Sequence, residues 1–317
     1  MRDSESTSWP QLITFGEALT DLVRQGPDQW RSVSGGAALN LALAAAALGL
    51  RSACGAAVSC DTFGQALWAS SAQAGLDMRF MQQNAHEPLL AVVHQLQPPR
   101  YFFVGADAAD LHFRPEELPA GWLASGAVPW AVFGGISLAR EPLAARLLSL
   151  AEQARAAGVG IAYDANIRQG LESAQGAALQ RLLPLADVIK LSDEDAVALW
   201  GSVEAALLAL RAIARPQAWL LLTRGAGTAS LWHGAQCWEQ QPPSIEVVDT
   251  VGAGDASLAG LLLSLIEAPQ ADGLRHLQHA VAAGAAACLG GGATAPTRAQ
   301  LDAQLKCLLA SSSPPVA

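Results

Sequence analysis

Val247-Val248-Asp249-Thr250-Val251-Gly252-Ala253-Gly254-Asp255-Ala256 decides how the rest of the chain is read. The valines predict the end of an apolar strand, the glycines a tight turn, and the apolar run over 258–266 a long helix. The turn therefore sits at a helix N-terminus. There the N–H groups of Gly252, Ala253 and Gly254 lack intrahelical acceptors, and with the helix dipole they offer a cradle to an anion such as a transferring phosphoryl group. Asp255 stands beside that cradle. A carboxylate next to an anion site needs a chemical reason, and accepting the proton of an alcohol that attacks phosphorus is one. Taken alone, the segment also reads as a tight turn followed by an ordinary first-turn helix acid.

Upstream of this segment, predicted strands at 131–134, 159–163, 188–191 and 219–223 alternate with helices, the first over 142–157. Such alternation predicts right-handed βαβ units and a parallel sheet whose ligands lie at the carboxyl ends of the strands. Polar clusters fall at those ends. Asp164, Asn166 and Arg168 follow one strand at alternate positions, so an extended segment would aim all three the same way, toward phosphates or a hydrated metal. Ser192-Asp193-Glu194-Asp195 follows the next and matches a helix capping box equally well. Thr223-Arg224-Gly225-Ala226-Gly227 is a glycine-rich turn able to hold phosphates through backbone N–H groups and the threonine hydroxyl. Downstream, a helix over 276–289 runs into Gly290-Gly291-Gly292-Ala293, a bend suited to walling an adenine pocket. His276 and His279 lack the acidic or cysteine companions a metal site would need.

The amino-terminal part supplies a second set of polar positions. A core strand over 12–16 leads to Asp21, whose carboxylate can accept from two hydroxyls at once, as a polyol requires. Ser34-Gly35-Gly36 lets backbone approach a ligand at the start of an Ala/Leu helix, and Asn40, an amide inside that apolar helix, must find partners in backbone or ligand. Another glycine turn, Asp61-Thr62-Phe63-Gly64, opens a helix ending near Gly75. Segments 91–96 and 100–104, about the turn Pro98-Pro99, read as two strands unlike the flanking α/β units. With residues 17–34 they form a small sheet over one mouth of the domain, a lid that would keep water out of a phosphoryl transfer.

Composition bounds the reading. The 317 residues carry no long linker, and 51% hydrophobic against 15% charged residues suits a sheet buried on both faces within one large α/β unit. A net charge of −9 argues against nucleic acid or an anionic membrane as partner. Five cysteines without a CxxC pair argue against a disulfide framework or thiolate zinc site. The polar opening 1–10 has no apolar core of a secretory leader, and the apolar run 37–50 is too short to span a bilayer, so a cytoplasmic protein is expected. The tail from Ser311 is expected to be disordered.

Together, Gly16-Glu17-Ala18 with Asp21-Leu22-Val23, Gly35-Gly36 with Asn40, Asp164/Asn166/Arg168, Lys190-Leu191-Ser192-Asp193-Glu194 and Asp249 to Asp255 resemble the ribokinase-like PfkB carbohydrate kinases, fructokinases above all. The GxxxxGK[ST] phosphate loop of Walker-type kinases does not occur. The resemblance implies a ribokinase-like three-layer α/β/α sandwich with a mostly parallel central sheet and a small β-sheet lid, spanning 1–317, with the lid formed by about 17–34 and 91–113. It implies transfer of the γ-phosphoryl group of ATP to a sugar hydroxyl, with Asp255 as base and Gly252, Ala253 and Gly254 as anion hole. Asp21, Gly35, Gly36, Asn40, Phe103 and Arg168 would hold the sugar. Lys190, Ser192, Thr223, Arg224, Gly225 and Gly227 would line the nucleotide side. Mg²⁺ would ride on the phosphates, with Asp195 reaching it through water, and Asp249, Val251 and the carbonyls of 290–293 would form a K⁺ site. Fructose is the favoured substrate. Kinases of 2-keto-3-deoxygluconate or of ribosides share the motifs, with Arg31, Arg100 and Arg168 as candidates to meet an acid. A catalytically weak sugar-binding member is a further alternative, since Asp195 and Val281 depart from the family pattern. A homodimer through the lid is compatible with its open edges.

Overall fold

The computed structural model describes residues 8–96 and 99–311. Residues 1–7 of the polar opening, the turn at Pro98 and the tail beyond Ser311 lie outside the described residues, and Ser311 itself closes a helix. In chain order the first elements are β1 (Leu12–Phe15), β2 (Leu19–Gly26), β3 (Gln29–Gly35), α1 (Ala37–Ala47), β4 (Ser52–Gly55), β5 (Ala57–Ser59), α2 (Thr62–Gln73) and β6 (Gln82–Asn84). Next come β7 (Leu90–Leu96), β8 (Pro99–Val104), β9 (Trp130–Gly134), α3 (Leu143–Ala156), β10 (Gly160–Asp164), α4 (Glu172–Leu182), β11 (Val188–Ser192), α5 (Asp193–Trp200) and α6 (Val203–Ile213). The chain ends with β12 (Trp219–Thr223), β13 (Ala229–His233), β14 (Gln236–Gln240), α7 (Ala253–Glu267), α8 (Gly273–Ala287) and α9 (Arg298–Ser311).

The main sheet has the order β14-β13-β12-β11-β10-β9-β1-β4, parallel from β12 to β4, with β13 and β14 added antiparallel at one edge. Its parallel strands are apolar on both faces, and their two-residue period sorts neighbouring side chains into separate cores. Ile13, Ala131, Phe133, Ile161, Tyr163, Ile189, Leu220 and Leu222 face the layer of α3 to α6. Leu12, Val132, Ala162, Val188 and Leu221 face α1, α7, α8 and α9. This is the expected three-layer α/β/α arrangement.

A separate four-stranded sheet, β3-β2-β7-β8, forms the expected lid. The lid pairing ends at Val104; residues 109–112, placed in the lid by the sequence, are a 3₁₀ turn. Among the described residues no single helix is long and apolar enough to cross a membrane. Only the pair α5 and α6, bent by 80°, passes such a test jointly, and Ala196, Ala206 and Leu210 of that pair are buried in the core.

One expected strand is missing. Val247 and Val248 are exposed and unpaired with any sheet; Val248 instead donates its N–H to the carbonyl of Cys288, 2.9 Å away. Two adjacent valines predict a strand only where a sheet edge waits to receive them, and here the chain passes alongside the end of α8.

Candidate active site

Gly252 is the N-cap of α7, with φ 81°, a left-handed conformation costly for any residue with a side chain. The helix ladder begins with Ala256 N–H donating to the Gly252 carbonyl at 2.9 Å, so the preceding N–H groups have no ladder partner. Of the expected cradle, Ala253 is a correction. Its N–H donates to the Thr250 carbonyl at 3.2 Å and closes the turn, while the N–H groups of Gly252 and Gly254 have no backbone acceptor among the described residues. A methyl group at Gly254 would sit 2.8 Å from Lys190 Nζ, which places the lysine head against the start of α7.

Asp255, in the first turn of α7, is buried at 8% exposure. Burial, followed by the negative charge of Asp164, pushes its carboxyl up to about 7, against the opposing pull of Lys190, a hydrogen bond from Asn40 and the charge of Arg168. Asn40, projecting from α1, therefore meets Asp255 directly, and its Oδ1 is buried without a hydrogen-bond partner. Behind them, Lys190 Nζ on β11 pairs with Asp164 Oδ1 on β10 at 3.0 Å, both side chains almost wholly buried. Burial works to lower the lysine's pKa, but Asp164, Asp195 and Asp255 outweigh it and keep the ammonium charged. Asp164 is pushed up by burial, and its second oxygen, Oδ2, has no hydrogen-bond partner. Lys190 is thus set between Asp164 and the cradle at Gly254.

The lid presents its residues in one row. Val33, Asp21, Ala91 and Phe103 are paired in register across β3, β2, β7 and β8, so they share a face. Phe103 packs with Leu19, Leu89, Ala91, Ala108 and Ile136, which fixes that face toward the body of the protein. Burial pushes the Asp21 carboxyl up to about 6, with the charge of Arg168 drawing it down. A methyl at Gly35 would collide with Asp21 Oδ2, so the glycine makes room for the carboxylate. Gly36 caps α1 with φ 102°, and a methyl there would lie 2.5 Å from the Glu17 carbonyl. Of the three arginines considered for an acid substrate, Arg168 is the one whose charge is felt by Asp21, Asp164 and Asp255; Arg31 and Arg100 are exposed on β3 and β8.

The alternation proposed for Asp164, Asn166 and Arg168 fails. The strand ends at Asp164, and Asn166 adopts φ 39°, so the three side chains do not form one extended row. The loop is held by Gln175, which the sequence did not single out: its Oε1 accepts from Arg168 N–H at 2.8 Å, and its Nε2 donates to the carbonyls of Gly135 and Asn166. Glu17 was quoted only within a motif, yet it is a buried clamp, accepting from Ser137 Oγ at 2.6 Å, Ser137 N–H at 3.2 Å and Ala37 N–H at 3.3 Å. It ties the head of α1 to the 3₁₀ turn that follows β9. An acid immediately after a core strand was the available signal.

Ser192 and Asp195 realise the capping box. Ser192 Oγ accepts from Asp195 N–H at 3.0 Å, and the two oxygens of Asp195 accept from Ser192 N–H at 2.9 Å and Ile167 N–H at 2.6 Å. Thr223 ends β12 beside Ser192 of β11, with Gly225 in the following turn at φ 52° and Gly227 closing it by donating to the Arg224 carbonyl at 2.7 Å. Arg224 braces the β12–β13 hairpin through the Thr228 carbonyl at 2.6 Å and Ser230 Oγ at 2.9 Å. Asp249 joins two loops, accepting from Val251 N–H at 3.1 Å and Gly292 N–H at 2.8 Å. Val281 is buried in the α7–α8 core.

Comparison with known proteins follows the same outline. Residues 10–300 match the pfkB family carbohydrate kinase. The chain is 34% identical over 263 residues to a fructokinase of Klebsiella pneumoniae, covering 80% of this chain and 84% of that protein. Its fold matches the crystal structure of a fructokinase with bound ATP from Xylella fastidiosa, with a TM-score of 0.84 at 27% identity, over 94% of this chain and 99% of that one. It also matches aminoimidazole riboside kinase from Salmonella enterica complexed with aminoimidazole riboside and an ATP analogue, with a TM-score of 0.79 at 26% identity, over 93% and 99% of the two chains. A buried aspartate at a glycine-capped helix, a lid sheet of its own and a family match over residues 10–300 converge on one conclusion: this chain belongs to the pfkB family of carbohydrate kinases, ATP-dependent enzymes with the ribokinase-like fold.

Proposed function

We propose that this carbohydrate kinase phosphorylates fructose, with Asp255 as the general base. The observation that carries the reading is the Asp255 carboxyl itself: buried, in the first turn of α7 and pushed up to about 7 by burial, a basicity suited to taking a proton from an alcohol near neutral pH. In this reading the sugar lies between the lid row of Asp21 and Phe103 and the loop Gly35-Gly36. The free Oδ1 of Asn40 accepts from a sugar hydroxyl, and Arg168 faces the same space. As the hydroxyl attacks, Asp255 accepts its proton, while the N–H groups of Gly252 and Gly254 and the Lys190 ammonium face the charge spread over the phosphoryl oxygens. The lid keeps water from competing for the phosphoryl group.

ATP is assigned to the side of Thr223, Gly225 and Gly227. Mg²⁺ would neutralise its phosphates, and Asp164, with one buried oxygen lacking a partner, fits acceptance of a hydrogen bond from the ion's hydration shell better than Asp195, both of whose oxygens are engaged as caps. K⁺ is assigned to the Asp249, Val251 and 290–293 region, where Asp249 already draws the two loops together. We place the enzyme in the cytoplasm. A pair of chains could meet through the edge strands β3 and β8, where Trp30 and Phe102 are exposed. The similarity to a riboside kinase keeps a riboside as the second substrate class.

The test is a coupled ADP-release assay with fructose, other hexoses, 2-keto-3-deoxygluconate and ribosides, each with and without K⁺. Fructose should give the highest kcat/KM, with turnover raised by K⁺. A riboside or sugar acid turned over better than fructose would replace the substrate assignment. Absence of ADP release with every sugar, despite sugar binding, would replace catalysis with a sensing role.

A further inference from the structure

Away from the cradle, two histidines and an aspartate meet where the lid joins the body. His86 lies just before β7, and Asp107 and His112 lie just after β8. Their ligating atoms all fall within 4.8 Å of one another. The imidazoles of His86 and His112 stack with centroids 3.3 Å apart and planes 12° from parallel, and His112 Nε2 is 2.7 Å from Asp107 Oδ1.

The surroundings orient these groups. Asn84 Oδ1 accepts from both the backbone N–H and Nδ1 of His86, each at 3.0 Å, while Asn84 Nδ2 donates to the Ala109 carbonyl at 3.0 Å. With its Nδ1 proton held by that amide, His86 presents Nε2 with its lone pair free, as a second partner does for metal-bound histidines generally. The opposite segment is equally fixed: Arg140 pairs with Asp110 at 2.8 and 3.1 Å and donates to the Gly105 carbonyl at 2.7 Å, and Ala109 N–H donates to the Glu87 carbonyl at 2.8 Å. Asp107 is largely exposed, with its side chain at 76%, so the cluster opens to solvent.

We propose that His86, Asp107 and His112 form a binding site for a divalent transition metal of the zinc class, with an open fourth position held by water. Two nitrogens and one carboxylate oxygen are a ligand set that Zn²⁺ accepts and that Mg²⁺ and Ca²⁺, which prefer all-oxygen shells, do not. The ion takes the place of the proton that joins His112 Nε2 to Asp107, and that proton leaves to solvent. A bound ion joins the chain entering the β7–β8 hairpin to the chain leaving it, and so braces the base of the lid.

The experiment is calorimetric titration of the metal-free full chain with Zn²⁺, repeated with Mg²⁺ and Ca²⁺, alongside thermal unfolding. Wild type should bind one Zn²⁺ per chain and gain thermal stability, with no comparable response to Mg²⁺ or Ca²⁺. Asp107→Asn and His112→Gln should each weaken Zn²⁺ binding at least about tenfold. Asp107 is exposed, so its variant should keep the wild-type melting temperature without metal and the wild-type sugar-kinase rate. Unchanged Zn²⁺ affinity in both variants, or no one-to-one binding by wild type, would overturn the site.

Discussion

At the scale of single residues, Asp255 makes the sharpest demands. Asp255→Asn should lower turnover by about two to four orders of magnitude while sugar binding persists, measured by ADP release and by calorimetry. Wild-type turnover should climb with pH through about 7, as the carboxyl loses its proton. The same shift acts on stability. A carboxyl that titrates near 7 when folded, but near 3.8 in its ordinary state, keeps its proton in the folded protein after the unfolded chain has lost it. Its contribution to stability therefore falls as pH rises between those values, and the deficit persists above 7. Asp255→Asn should be more stable than wild type at pH 8, with the advantage shrinking toward pH 4, as read by urea unfolding. Lys190→Met should cost about 3–5 kcal/mol at neutral pH, because Asp164 is left buried without its cation, and less as the pH is lowered and that carboxyl takes up a proton. The candidate roles of Asp255, Asn40 and Asp21 were legible because a polar residue among apolar neighbours must answer for its burial. The bent loop after Asp164 was not: nothing in the residue types Asp164, Asn166 and Arg168 announces that the middle one takes a positive φ, since that choice is made by Gln175 from the next helix.

At the scale of elements, α7 and α8 lock together through small residues. A methyl at Gly260 would lie 2.5 Å from the His279 carbonyl and 2.6 Å from Ala283 Cβ, so the helices touch backbone to backbone. Gly260→Val should destabilise the protein by about 1–3 kcal/mol or more, seen as a lower melting temperature, and should reduce kcat by displacing the helix that carries Asp255. The βαβ repeat from β9 to β12 was legible to within a residue or two, because buried strands flanked by amphipathic helices leave strong periodic traces. The failed strand at Val247 and Val248 has the opposite cause. Local β-propensity was sound, but the segment joins no sheet and Val248 hydrogen-bonds to the end of α8 instead, so tertiary placement decides. The Ser192–Asp195 segment was ambiguous for a related reason: one pair of side chains can cap a helix or face a ligand, and only the Ile167 N–H brought in from a distant loop resolves it in favour of the cap.

At the scale of the whole molecule, the lid is a hydrogen-bonded sheet distinct from the eight-stranded one. Amide hydrogen exchange should be faster in β2, β3, β7 and β8 than in β9 to β12, and fructose with ADP should slow it in the lid selectively. Equal protection in both sheets without ligand would argue against a moving lid. That a second sheet exists was legible from two short strands out of step with the helical repeat. Its parallel β2–β7 pairing was not, since it joins segments some seventy residues apart. Asp21 and Phe103, assigned above to the sugar, belong to the lid sheet, while Lys190 and Asp164 lie on the main sheet and Asp255 on α7, so part of the proposed sugar contact is carried by an element separate from the proposed phosphoryl-handling groups. If the sugar lies where it is proposed, a change confined to the lid strands would alter what that face accepts and leave the groups beneath the phosphoryl group as they are.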